Sequence, residues 1–367
     1  MRPHHTRVAE PGAAQSGYVL LEMLLSTAIA AALLGVLLQF AVGAQHAVRT
    51  QADVTDVQQR LRVAAESIRR DLLAAGAGPS HGAGRGPLGR VFAPVVPART
   101  GLTAADAELS YYADRISIMH VPATASQSRL VDSMEEPGAP LTIDGNAPGC
   151  SAGTLCGFVP GDRVLIFEPF NAGGAHEVFT VSAVDGNVSS LSPTGSLSRI
   201  YPAGSLLVGV IERVYYLDRS GKRLMMYDGE RSDLPLVDHV VDLRFTYYAD
   251  PSPGAVAPPP DGAASCAYAA GSSPVPLLED LGGTALKQIA AAQLTDGPVC
   301  GQPPYRFDAD LLRVRRIRVT IRLETASAEL RGSGPDFATR GTSLDANRYV
   351  PDVQVTFDVV PRNVAVR

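Results

Sequence analysis

The sequence predicts an α+β protein in which a long N-terminal, membrane-spanning helix packs on a β-rich globular domain with an antiparallel sheet. Two observations indicate this class. An apolar run extends from Tyr18 to about Ala44, and a helix-compatible sequence without proline continues from it as far as Gly76. Beyond it, short β-branched and aromatic runs alternate with turn residues, which is typical of strands. The 367 residues, 46% of them hydrophobic, are enough for one large domain or two modest ones.

The N-terminal region divides into a polar segment, residues 1–17, and an apolar segment, residues 18–44. The apolar segment is long enough to cross a bilayer as a helix. Arg2 and Arg7 precede it, so the positive-inside rule predicts a cytoplasmic leader and an outward-facing C-terminal bulk. We therefore expect a single-pass protein of the inner membrane with a periplasmic C-terminal domain.

Glu22 distinguishes three interpretations of the apolar segment. The segment is a secretory signal peptide cleaved after Val42-Gly43-Ala44, a simple signal anchor, or a helix whose leader is removed before the apolar run. An ionised carboxylate at the centre of a bilayer costs about 3 kcal/mol or more, and such residues are usually functional. A signal peptide or an anchor has no use for this acid, so Glu22 favours the third interpretation.

Residues 45–76 continue the helix as an amphipathic segment. The sequence Gly76-Ala77-Gly78-Pro79 then predicts its end. The two segments together predict one helix of about 58 residues, roughly 85 Å long. Its apolar side chains recur at steps of three and four and predict one buried stripe: Val54, Val57, Leu61, Ala64, Ile68 and Leu72.

The residues Gly17-Tyr18-Val19-Leu20-Leu21-Glu22, followed by a long apolar run, resemble the type III signal of type IV pilins and type II secretion pseudopilins. Tyr18 stands where phenylalanine is usual in that family, and Val19 stands where threonine or serine is usual. The resemblance implies cleavage between Gly17 and Tyr18 by a prepilin peptidase and N-methylation of the new Tyr18 amine. It also implies that Glu22 is an assembly residue, which pairs with the N-terminal ammonium of a neighbouring subunit.

The remaining chain predicts a β-rich head (residues 77–250), a Pro/Gly-rich insertion (251–308) and C-terminal strands that complete the head (309–367). Residues 217–224 predict a hairpin around a Ser-Gly turn, and the change of alternation at Arg315-Arg316 predicts a β-bulge. A short helix is expected within residues 277–294. Segments between residues 205 and 367, such as "ERVYYLDRSGKRLMMYDG" and "VRRIRVTIRLET", resemble PilW-type minor pilins.

The four cysteines bracket two loops, Cys150 with Cys156 and Cys266 with Cys300. Neither pair has the spacing of a zinc site, and no histidine stands at a ligand-like offset from them. An even count that flanks loops behind an export signal favours two disulfides in an oxidising compartment. Four buried free thiols are the alternative.

The sequence contains no catalytic motif and predicts neither an enzyme, a metal site nor a cofactor. Asp228, Glu230 and Asp233 cluster at a turn, but their spacing fits no calcium loop, so we interpret them as solvated. DNA binding is also not expected, since the net charge is −5 and acids such as Asp238 and Asp242 can pair the basic strand. That strand carries five arginines: Arg313, Arg315, Arg316, Arg318 and Arg322.

The sequence thus predicts a minor pilin-like structural subunit of a type IV pilus that acts in filament initiation or assembly. Its expected partners are other pilins and minor pilins, the prepilin peptidase and the inner membrane before assembly. A GspJ-like type II secretion pseudopilin is the alternative within the family. A membrane-anchored periplasmic enzyme or ligand-binding domain is the alternative from another class.

Overall fold

The computed structural model describes residues 16–79, 88, 93–147, 150, 155–169, 176–252, 266–271, 273–275, 278, 280–301, 306–343 and 349–363. Most of the leader and the glycine-rich stretch at 82–86 lie outside these residues. Helix α1 comprises Ser16–Ala74, 59 residues without interruption. This confirms the single long helix expected from the apolar run and the stripe that follows it.

The strands pair only in antiparallel fashion within the described residues. In chain order they are β1 (Val95–Val96), β2 (Arg115–His120), β3 (Gln127–Arg129), β4 (Leu141–Thr142), β5 (Arg163–Phe167), β6 (His176–Asp185), β7 (Ser190–Pro193), β8 (Leu206–Gly209), β9 (Ile211–Asp218), β10 (Arg223–Tyr227), β11 (Asp233–Asp238), β12 (Val240–Ala249), β13 (Tyr268–Ala269), β14 (Ser273–Pro274), β15 (Lys287–Gln288), β16 (Val299–Cys300), β17 (Phe307–Asp308), β18 (Val314–Leu323) and β19 (Val353–Val359).

Two sheets pack against the C-terminal part of α1. The first has the strand order β1-β2-β9-β10-β11 and the second the order β15-β12-β18-β19. Their inner faces share one apolar core with the helix, centred on side chains such as Ile68, Tyr215 and Phe245 that are fully buried. The fold is therefore α+β, with one helix and an antiparallel β-rich domain.

Two local predictions in these sheets are confirmed. Strands β9 and β10 form a hairpin in which Arg223 pairs with Asp218, and Lys222 takes the positive φ of its turn. In the pairing of β12 with β18, Tyr248 lies opposite Arg316 but the next residue lies opposite Val314. Arg315 is skipped, so the bulge lies at the position where the alternation of the sequence changes.

Residues 121–210 form a small closed barrel between β2 and β9, which are neighbours in the first sheet. Six strands follow the order β3-β8-β5-β6-β7-β4. A bridge between Leu130 and Ile143 joins the two outer strands and closes the barrel. Its interior is a second apolar core that contains Val164 and Ile166 of β5, whereas the alternate residues Leu165 and Phe167 face the first core.

The insertion after β12 is built from short pieces rather than from a helix. Within the described part of residues 277–294, only β15 and a 3-10 turn at Ala291–Leu294 are regular, so the predicted helix is wrong. Gly282 and Gly283 take positive φ values of 70° and 80°, which an α-helix does not accommodate. Further 3-10 turns occur at Leu155–Gly157, Ala309–Arg313 and Ala328–Leu330.

Candidate assembly surface on helix α1

The docked half of α1, residues 53–74, carries the predicted apolar stripe into the core. Val57, Ala64, Ile68 and Leu72 are fully buried. Val54 and Leu61, at the start of the stripe, are half-buried, so the head covers the helix progressively from about residue 53 onward. The i, i+3 and i+4 spacing places these side chains on one face, as the sequence predicts.

Polar contacts fix the docked half against the sheets. The hydroxyl of the fully buried Tyr215 donates to Asp71 at 2.7 Å. Arg60 donates to the carbonyl of Asp238 at 3.1 Å. At the far end, the side-chain amide of Asn363 donates to the carbonyls of Ala74 and Ala75 at 3.3 and 3.4 Å, which satisfies groups that a helix end leaves without partners.

Two histidines lie near these contacts, one towards each end of the docked half. Burial lowers the pKa of His120 below its ordinary value, although the charge of Asp71 opposes the shift. Burial also lowers the pKa of His239, and the neighbouring charge of Arg60 on the helix lowers it further. Both imidazoles therefore resist protonation in the folded protein.

The free half of α1, residues 19–49, projects from the head without covering. Its described side chains are all exposed, and large apolar ones such as Leu20 and Phe40 are 68% and 78% exposed. The mean hydropathy of its most apolar stretch is 2.2, and none of that stretch is buried in the fold. Among the described residues, α1 is the one helix long and apolar enough to cross a membrane.

Glu22 lies on this free half, in the second turn of the helix. Within the described residues its carboxylate has no ion-pair partner, and its side chain is exposed. The neighbouring polar side chains satisfy themselves locally: Ser26 donates to the carbonyl of Glu22, and Thr27 donates to that of Met23 at 2.9 Å. Glu22 is thus the one acid between residues 19 and 49, and it faces outward.

Gly17 and Tyr18, the residues expected to flank the cleaved bond, lie in the first turn of α1. The helix begins at Ser16, so its described part starts at the expected processing site. The structure therefore brings Gly17, Tyr18 and Glu22 together within the first two turns, at the end of the helix farthest from the head.

The basic strand β18 pairs with acids other than those expected. Arg318 makes two hydrogen bonds to Asp358, at 2.7 and 3.0 Å, and Arg322 lies 2.9 Å from Asp352. The hydrogen bond from Arg318 lowers the pKa of Asp358 below its ordinary value.

The acids that the sequence suggested pair with other arginines. Asp242 lies on β12, next to β18 and directly opposite Arg322, but its carboxylate is 3.9 Å from Arg244. Asp238 lies on β11 in the other sheet, 3.4 Å from Arg223.

The remaining arginines of that strand are also engaged. Arg313 is fully buried and bonds Asp310 at 2.7 Å, and Arg315 donates to the carbonyl of Leu312 at 2.8 Å. Arg316 lies 4.2 Å from the ring centre of Tyr248. A row of unpaired cations that would grip a phosphate backbone is therefore not formed by these five side chains.

The turn acids weighed for calcium each have a protein partner. Asp228 accepts three backbone N–H groups, from Glu230, Arg231 and Ser232, at 2.8 to 3.1 Å. Thr180 donates to Glu230, and Tyr216 donates to Asp233. These bonds shape the turn and tie it to neighbouring strands.

A carboxylate cluster that the sequence interpretation missed lies where the insertion rejoins the head. Oxygen atoms of Asp296, Asp308 and Asp310 lie within 4.8 Å of one another, and Arg313 is the buried counter-ion. Burial raises the pKa of Asp310 to about 7 although Arg313 opposes the shift. Asp308 accepts the N–H of Gly297 at 2.6 Å. In the sequence, only the Asp-x-Asp pattern at 308–310 indicates this carboxylate cluster.

Both expected disulfides are present. Cys150 bonds to Cys156 within the barrel, and Cys266 bonds to Cys300 across 34 residues of the insertion. Closing such loops typically stabilises a fold by about 2–4 kcal/mol. The disulfide-bonded domain is suited to an oxidising, extracytoplasmic compartment.

Comparison of the chain with family models, with curated proteins and with solved structures finds no match.

Proposed function

We propose that the protein is a minor pilin-like structural subunit, anchored in the inner membrane by the free half of α1 and incorporated into a type IV pilus or a related pseudopilus through that same surface. The head is periplasmic before assembly. The chemistry is non-covalent association, and the proposal assigns no catalytic residue and no cofactor.

One observation carries the proposal: a continuous helix whose more apolar half lies outside the fold and holds one acid near its start. A helix that is apolar all round is buried either in a large core or in a membrane. The head covers only residues 53–74 of α1. The free half therefore needs an apolar environment from outside the chain, first lipid and then neighbouring helices.

Glu22 gives this surface its specificity. A single charge in hydrocarbon is costly, so before assembly the acid is protonated or held near the interface. When helices pack together, the Tyr18 ammonium of a neighbouring subunit can lie beside the carboxylate. Their attraction then offsets the desolvation of both groups. The pair forms only between mature subunits, because the ammonium of Tyr18 exists only after the leader is removed.

The decisive experiment replaces Glu22 with alanine and follows the protein into sheared filaments. We expect the Glu22→Ala protein to be exported, processed and folded, but to accumulate in the inner membrane. Glu66→Ala is the matched control, since Glu66 is an exposed acid on the docked half of the same helix. Assembly of Glu22→Ala at the wild-type level would contradict the role of this residue.

Processing is tested independently by the mass of the mature chain. We expect a chain that begins at N-methylated Tyr18, and we expect Gly17→Glu to leave the precursor uncleaved. A mature chain that begins at Gln45 would instead mean that a signal peptidase removes the whole apolar segment, and the proposal would fail.

A further inference from the structure

The tip of the hairpin between β6 and β7 carries an Asn-x-Ser sequence at residues 187–189, which has no role in the proposed assembly. Residues 186–189 connect Asp185 to its partner Ser190. The tip reads Asp185-Gly186-Asn187-Val188-Ser189, and Asn187 is the one asparagine in the chain followed at the second position by serine or threonine.

This tip projects into solvent. Gly186, Asn187 and Val188 are exposed, Val188 to 61%, and Ser189 is half-buried with a φ of 49°. A side chain placed at position 186 would meet nothing within 4 Å, so the space beside Asn187 is open. Within the described residues, neither the side-chain amide of Asn187 nor the hydroxyl of Ser189 makes a hydrogen bond.

Turn chemistry explains only part of this sequence. Asp185 Oδ1 accepts the backbone N–H of Asn187 at 2.9 Å, a common bond in tight turns. A second turn of the barrel repeats it: in Asp144-Gly145-Asn146, Asp144 Oδ1 accepts the N–H of Asn146 at 3.0 Å. The residues that follow Asn146 are Ala147 and Pro148, so only the tip at 187 adds a hydroxyl at the second position.

We propose that Asn187 is an acceptor site for an N-linked glycan. The sequence Asn-x-Ser, with x other than proline, is the acceptor pattern of N-glycosylation and belongs on exposed loops of exported proteins. Val188 satisfies the condition on x, and its exposure has no packing explanation in the fold. A transferase that reads an acid two positions before the asparagine also finds one here, in Asp185.

The donor is a glycan joined through its anomeric carbon to a lipid pyrophosphate. The Nδ2 atom of Asn187 forms a bond to that carbon while the bond from carbon to pyrophosphate oxygen breaks. The lipid pyrophosphate leaves with the bonding electron pair, and the amide loses one proton to solvent. No oxidation or reduction occurs. The open space around the tip admits the donor, and the Ser189 hydroxyl makes no hydrogen bond within the described residues.

This inference rests on the outward orientation of the head in the proposed function, but it does not require a filament. The test therefore uses purified full-length protein in detergent, a purified bacterial oligosaccharyltransferase and a lipid pyrophosphate-linked oligosaccharide, with intact mass and glycopeptide mapping as readouts. We expect one glycan per wild-type chain, located on Asn187, and none on Asn187→Gln or Ser189→Ala.

Asn146→Gln is the matched control, because it alters the equivalent turn without altering the acceptor pattern. It should gain one glycan, like the wild type. A wild-type chain that gains no glycan, or an Asn187→Gln chain that still gains one, would overturn the inference. An unmodified chain with normal filament assembly would refute only this inference, whereas a modified chain that fails to assemble would refute only the proposed function.

Discussion

The two halves of α1 belong to one uninterrupted helix and meet opposite surroundings. On the docked half, Ile68 and Leu72 are fully buried, whereas Leu34 and Leu38 on the free half are 59% and 65% exposed. The free half is the more apolar of the two, yet the head covers the other. Spacing explains the difference: the docked half has one apolar stripe that a sheet can cover, and the free half is apolar on every side.

The largest expected effect is the difference in stability between two leucine-to-alanine variants, one on each half of the helix. Leu72→Ala leaves a cavity in the core and should lower the free energy of unfolding of the head by about 2–5 kcal/mol. Leu34→Ala should change it by less than about 0.5 kcal/mol, because no part of the head covers Leu34. Denaturant unfolding of the full chain in detergent, followed by tyrosine fluorescence, measures both. Equal losses would mean that the free half also contributes to the core.

A smaller effect should follow from removing one anchor of the docked half. Tyr215→Phe deletes the hydroxyl that donates to Asp71 and leaves this nearly buried carboxylate short of a partner. The expected loss is about 1–3 kcal/mol of unfolding free energy. Tyr112→Phe is the control, since Tyr112 is 38% exposed and should cost less than about 0.5 kcal/mol. An unchanged Tyr215→Phe midpoint would show that the hydrogen bond to Asp71 does not stabilise the docked half.

The smallest expected effect is a pH dependence of the docked half. The folded-state pKa values of His120 and His239 lie below the ordinary value, so their contribution to stability is present above it and lost as pH falls. Asp310, whose pKa is raised to about 7, acts in the opposite direction and loses its contribution as pH rises. Comparing the pH profile of a histidine variant with that of the wild type separates the histidine contribution from that of Asp310.

The double variant His120→Gln, His239→Asn isolates the histidine contribution. Asparagine suits position 239 because the backbone there has a φ of 60°. Between about pH 7.5 and 5.0, a range that spans the ordinary histidine pKa, the melting temperature of the wild type should fall relative to that of the double variant. Parallel profiles of the two proteins would mean that the burial of these two histidines does not contribute to the pH dependence of stability.

The structural features that were predicted correctly from the sequence are those decided by residues close together in the chain. The helix follows from its period and from the stop at Gly76, and the hairpin at 217–224 follows from its turn. The bulge at Arg315 appears as a change of alternation. Each of these features is decided within a few residues along the chain, so their patterns can be read directly.

Strand neighbours and ion-pair partners that depend on distant pairing were not predictable. The partners of Arg318 and Arg322 are set by the register of β19, 40 and 30 residues away. The barrel is set by the pairing of β3 with β8, across a still longer separation. The helix expected within 277–294 failed for a local reason, because Gly282 and Gly283 adopt backbone conformations that end it. At the candidate assembly surface, the sequence predicted both Glu22 and the apolar run around it, but the point near residue 53 where the head begins to cover the helix depends on the packing of the sheets.

The barrel enters and leaves the first sheet at one place, since His120 at the end of β2 lies directly opposite Ile211 at the start of β9. Residues 121–210 are thus inserted between two paired residues, at a place where a short turn could connect β2 directly to β9. Such a site accepts or releases a whole module as a hairpin accepts a longer loop. The barrel also supplies Leu165 and Phe167 to the first core, so any substitute module would have to cover the same apolar surface.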